Sequence, residues 1–93
     1  VIVGIMVLDL HSNSSHSLKE KRQIVSSMKE KLKKKWNISL IESDYQDLWQ
    51  KIQIAIAMMA NSKTIVEKAF DQIENFIFMN YPVQIVTVTK DYF

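Results

Sequence analysis

The clearest chemical pattern in this chain is a row of cations. Lys19, Arg22, Ser26, Lys29 and Lys33 recur at alternating steps of three and four residues. On a helix that spacing aligns side chains along one flank. Four cations so arranged can follow the phosphates of a nucleic-acid backbone, each contact adding salt-dependent affinity. Lys31, Lys34 and Lys35 widen the positive region. Eight of the twelve Lys and Arg lie between Lys19 and Lys35, facing only Glu20 and Glu30. The segment therefore carries +6, and the rest of the chain −4, behind a net charge of +2. The competing reading is a solvated helix face whose last lysines complement the helix dipole.

A second unusual stretch is Asp44-Tyr45-Gln46-Asp47-Leu48-Trp49-Gln50-Lys51. Two acids, two aromatics and two amides are a rich set for a simple hairpin link. Asp44, Tyr45, Asp47 and Trp49, together with Lys21, form a candidate ligand site or interface. Structural alternatives are that Trp49 plugs the end of the core or joins a dimer interface, and that the acids draw nearby lysines. Lys21 plots at the centre of the apolar arc of its helix. It must either snorkel to the edge or meet an acidic partner such as Asp9, Glu42 or Asp44.

Other chemistry finds little support. His11 and His16 with Asp9 superficially offer zinc ligands, but they match no helical His pair and lack a firm third ligand. Ser14, His16 and Asp47 can be drawn as a triad, yet serines are so frequent here that the match says nothing. No phosphate-binding loop or dinucleotide fingerprint occurs. No catalytic residue, metal or cofactor is assigned, and a non-enzymatic protein is expected.

The elements that must position these residues follow from periodicity. Residues 1–10 are apolar and β-branched without a helical period, a central strand in which Gly4 marks a close approach. Residues 11–16 are short and polar, a loop. Ser17 opens a helix to about Trp36, with Glu20 completing a capping box. Its core arc is Leu18, Ile24, Val25, Met28, Leu32 and Trp36. Ile38–Asp44 alternates as a half-exposed strand. Residues 50–60 are a second apolar strand, with Ile52, Ile54, Ile56 and Met58 on one face. Asn61 or Ser62 caps a second helix whose core face is Val66, Ala69, Phe70, Ile73, Phe76 and Ile77, and Tyr81-Pro82 ends it. Residues 83–93 alternate as a last strand, Val83, Ile85, Thr87 and Thr89 against Gln84, Val86, Val88, Lys90 and Tyr92.

The order β-α-β-β-α-β predicts an α+β, ferredoxin-like domain over residues 1–93: a four-stranded antiparallel sheet with two helices on one face. Right-handed crossovers place the first and third strands in the centre. With 93 residues, no Cys, one Gly and one Pro, the chain can form one core without disulfides. No targeting segment or bilayer-length apolar run is visible, so a cytoplasmic location without a membrane role is expected. Because Val3, Ile5 and Val7 cannot share a face with Ile2, Met6 and Leu8, the uncovered sheet face should carry an apolar patch. A homodimer through that face is the cheapest explanation. The central strands contain no aromatic residue, which argues against base stacking on the sheet. There are no paired cysteines for metal transfer. The first loop also lacks the Gly-rich cradle and Arg of acylphosphatase-like hydrolases.

Ser17-Leu18-Lys19-Glu20-Lys21-Arg22, then Asp44-Tyr45-Gln46-Asp47 with Trp49-Gln50, and Ala60-Asn61 together resemble the YlxP-like family of small bacterial proteins. The resemblance covers essentially the whole chain. Lys51 departs from the Arg typical of the family, keeping charge without a bidentate fork, and Tyr45 stands where some relatives have His. The resemblance implies a ferredoxin-like fold. It also implies association with RNA or the ribosome, because such genes often lie among translation and ribosome-maturation genes. It transfers no activity and no catalytic residue.

Overall fold

The computed structural model describes residues 1–93. The elements are β1 (Ile2–His11), α1 (Leu18–Lys35), β2 (Ile38–Asp44), β3 (Lys51–Ala60), α2 (Lys63–Asn80) and β4 (Gln84–Tyr92). All strand pairings are antiparallel, in the order β2-β3-β1-β4. This is the predicted ferredoxin-like topology, with β1 and β3 central. α1 packs toward β2, and α2 lies over β1, β3 and β4.

Alternation decides what each strand buries. Met6, Leu8 and Leu10 of β1 and Ile52, Ile54 and Ile56 of β3 face the helices and are closed off from water. They meet Met28 and Leu32 of α1 and Val66, Phe70, Ile73 and Ile77 of α2 in one core. Gly4 is the close approach anticipated for it. A Cβ there would stand 2.3 Å from a Val66 methyl and 2.9 Å from the Phe70 ring, so only glycine lets α2 settle against β1.

Both helices begin as expected, with the Ser17 hydroxyl accepting from the Glu20 N–H and the Ser62 hydroxyl from the Ile65 N–H. The capping box is altered, however. The Glu20 carboxylate takes the N–H of His16 at 2.8 Å rather than that of Ser17, so it ties down the loop before the helix as well. α1 ends at Lys35, and Trp36, the expected end, adopts extended backbone as the C-cap.

β4 departs from simple alternation. Thr87 pairs with Asp9 and Ile85 with Leu10, leaving Val86 as an extra residue. This β-bulge shifts the side-chain phase by one. Ile85, Val88 and Tyr92 therefore pack on the core, whereas Val86 lies exposed among the residues of the other face. Lys90, on the core-facing phase, holds Glu74 at 2.8 Å and Asp71 at 3.3 Å on α2. No helix is long and apolar enough to cross a membrane.

Candidate functional site

Two loops meet at one end of the sheet, and Lys21 joins them to α1. The Lys21 side chain is 1% exposed, a costly place for an ammonium unless it is hydrogen-bonded and paired with a counter-charge. It donates to the carbonyls of Tyr45 and of Leu48, the latter at 2.6 Å, and forms an ion pair with the Glu42 carboxylate at 2.9 Å without hydrogen-bonding geometry. Of the partners anticipated from sequence, Glu42 is the one used, while Asp9 lies on the opposite face of the sheet. Tyr45 adopts a left-handed conformation, φ 64°, unusual for a bulky residue. Asp44 Oδ1 accepts the Tyr45 N–H at 2.8 Å, and the Tyr45 carbonyl also accepts from the Leu48 N–H at 3.0 Å. Ser12 then donates its N–H to the Gln50 carbonyl at 2.8 Å, and buried Ser12 and Ser15 share a hydroxyl contact at 2.8 Å. The β1–α1 and β2–β3 loops are thus one bonded unit.

The open face of the sheet carries a second constellation. The Ser43 hydroxyl bonds Gln53 Oε1 at 2.9 Å, Gln53 Nε2 donates to Asp9 Oδ1 at 2.8 Å, and the Thr87 hydroxyl donates to Asp9 Oδ2 at 2.7 Å. This chain crosses all four strands in their spatial order. It lies at the level of two bulges, one at Val86 and one where Glu42 pairs with Ile54 but Asp44 with Gln53, leaving Ser43 extra. Bulges re-aim side chains, and here they bring the edge strands' residues into line with the central pair. The Thr87 hydroxyl, and next the Gln53 amide, hold the Asp9 carboxyl below its ordinary value of 3.8, against an opposing effect of burial.

The chain of polar groups divides the open face. On one side lies an apolar patch of Ile5, Ile41, Ala55 and Ala57 beside Ser39, with Ile41 57% and Met59 63% exposed. On the other, Asp9, His11, Tyr45, Lys51 and Val86 surround a cavity of about 290 Å³, and the Lys51 ammonium stands 5.7 Å from the Tyr45 ring centroid.

The sequence candidates fall into different places. Lys19, Arg22, Lys29 and Lys33 are exposed along α1. Of the second set, Lys21, Asp44 and Tyr45 come together, but Lys21 and Asp44 hold backbone rather than an open site. Trp49 is 46% exposed and does not plug the core, and Asp47 is exposed. Ser14, His16 and Asp47 share no hydrogen bond, and no group of three His, Cys, Asp or Glu is close enough to hold a metal ion. Sequence reasoning missed the Asp9–Gln53–Thr87 cluster. Part of its signal was present: Asp9 and His11 interrupt the apolar Val3-Ile5-Val7 row at the same parity, and their partners Gln53 and Lys51 continue the row of Ala55 and Ala57 on β3.

A four-stranded antiparallel sheet covered on one side by two helices defines a ferredoxin-like α+β protein. Solved structures agree at the level of fold. A de novo designed protein with ferredoxin fold, LFR1 1, has a TM-score of 0.54 at 14% identity, covering 99% of this chain and 84% of its own. The de novo designed protein Foldit4 also gives 0.54 at 10% identity, covering 100% and 97%. In sequence, the family described as "Protein of unknown function (DUF503)" matches residues 3–90, and the chain belongs to it. "Uncharacterized protein YlxP" of Bacillus subtilis (strain 168) is 36% identical over 61 residues. That match spans 66% of each chain, just under two thirds of the relative's length.

Two outcomes follow from the bonded loops and the carboxylate. Lys21→Met strands the Leu48 carbonyl and the Glu42 carboxylate, takes one of two donors from the Tyr45 carbonyl, and should cost about 3 kcal/mol, read as a lowered urea midpoint. A loss below about 1 kcal/mol would put the ammonium on a level with a surface ion pair. Because the folded carboxyl of Asp9 is depressed, the stability it contributes is complete above its unfolded value and lost as pH falls through the lower folded one. Unfolding midpoints from pH 5 downward should therefore fall more steeply for the wild type than for Asp9→Asn; parallel profiles would contradict this.

Proposed function

We propose that this protein is a non-enzymatic cytoplasmic module that associates with RNA, free or in the ribosome, through the outer flank of α1. One observation carries the reading: the cations of α1 are sorted. Lys21 is buried against Glu42, and Lys34 pairs with Glu30 at 3.2 Å. Lys31 and Lys35 lie over aromatic rings. The four left without acidic or aromatic partners are Lys19, Arg22, Lys29 and Lys33, which are the members of the periodic row. A helix face built only for solubility has no reason to leave one straight row unpaired. The row rises about 21 Å along the helix, a length over which several phosphates can be met. Four contacts to a single strand correspond to a slope of about −3 in log affinity against log salt. Lys29→Glu with Lys33→Glu should weaken RNA binding by tenfold or more in fluorescence anisotropy and flatten that slope. Unchanged affinity would remove the row from the site.

A second reading concerns the open sheet face and commits to a second copy of this chain. It is favoured by the apolar patch around Ala55 and Ala57, whose small side chains leave room for Ile5, Ile41 or Met59 of an opposed sheet. Four strands about 4.8 Å apart and ten residues of about 3.3 Å offer roughly 600 Å² in plan, close to the 800 Å² or so per partner of a standard interface. Light scattering should report a dimer at micromolar concentration and a monomer for Ile41→Lys. A wild type that stays monomeric contradicts it.

A further inference from the structure

At the far end of α1 the two helices form a pocket that the basic row does not include. The Trp36 and Phe76 rings stand edge to face, 5.8 Å apart at 80°, and Tyr81 lies 6.4 Å beyond Phe76. The Lys35 ammonium is 5.1 Å from both the Trp36 and the Phe76 centroid. Lys35, Trp36, Phe76 and the amides of Gln72, Asn75 and Asn80 border a cavity of about 420 Å³, with exposed Met79 on its rim. The amides have capacity to spare. Gln72 Oε1 accepts from Trp36 Nε1 at 3.4 Å, leaving its NH2 free, and Asn80 Nδ2 donates to the Phe76 carbonyl at 2.8 Å, leaving its oxygen free. Asn75 makes no side-chain hydrogen bond and offers both ends.

The lining selects its occupant. An apolar partner would strand the amides, and a simple anion would make no use of the rings. A flat heteroaromatic group with donors and acceptors on its edge, attached to a phosphate, uses every feature. We infer that this pocket holds one unpaired nucleobase of a single-stranded RNA, an inference that rests on the RNA reading above. The base takes the place of the Lys35 ammonium over the rings, as bases stack on aromatic side chains elsewhere. The amides meet its edge, and Lys31 and Lys35 neutralise the adjoining phosphates. Lys33 stands less than one turn before Trp36, about 4.5 Å along the axis, so the backbone passes round the helix end onto the row. A duplex, whose bases are occupied, engages the row alone.

The test compares a short unstructured RNA with the blunt duplex it forms with its complement. In a Trp49→Phe background Trp36 is the sole tryptophan, and its fluorescence reports the pocket directly. The expected result is quenching by the single strand and not by the duplex. Asn75→Ala with Met79→Ala, both at exposed positions on α2, should weaken single-strand binding by about tenfold and leave duplex binding unchanged. Equal quenching and equal affinity for both RNAs, or single-strand affinity indifferent to the α2 substitutions, would overturn the pocket. If binding still collapses on Lys29→Glu with Lys33→Glu, the RNA reading survives that failure. Binding to neither RNA would overturn both.

Discussion

The ammonium of Lys21 is the point on which the loop end of this molecule depends. An interior cation needs both a counter-charge and acceptors, and here the Glu42 carboxylate on β2 supplies the charge while two carbonyls of the loop that follows accept its hydrogen bonds. One side chain thereby fixes the first turn of α1, the end of β2 and the β2–β3 connection relative to one another. The left-handed Tyr45 can persist because its carbonyl is held from two directions, by Lys21 and by the Leu48 N–H. That conformation sets the phenol ring beside Lys51 at the mouth of the open-face cavity.

The same economy runs through α1. Its helical period sorts side chains into three uses: an inner arc with Met28 and Leu32 in the core, a flank whose Lys31 and Lys35 lie against aromatic rings, and an outer flank left free. Charge on a helix this basic is self-repelling, and the paired or stacked cations relieve part of it without emptying the outer row.

Much of the fold was legible because each element announces itself locally. Capping serines, a period of 3.6 in the helices and of 2 in the strands, and a lone Gly and Pro were enough to order the six elements. The Lys21 environment was only half legible. A side-chain pattern can point to Glu42, but nothing in residue types marks the carbonyls of Tyr45 and Leu48 as the remaining partners. Of the two readings of Trp49, the core plug failed for a related reason: a large aromatic beside the core is not inside it when the loop is pinned elsewhere. The bulges at Ser43 and Val86 were invisible, because an extra residue in a strand reverses parity without a sequence signature. Every face assigned in β4 beyond Val86 was therefore displaced by one, and the Asp9–Gln53–Thr87 chain could not be assembled.

Those two bulges have a consequence for how the molecule can aggregate. They fall on β2 and β4, the only strands whose outer backbone groups are unpaired. A regular rim would be a template on which strand after strand could add, the first step of a fibril. Each rim of this sheet is instead broken and twisted at one place, at the same height on both sides. Growth by lateral strand addition is frustrated from either border.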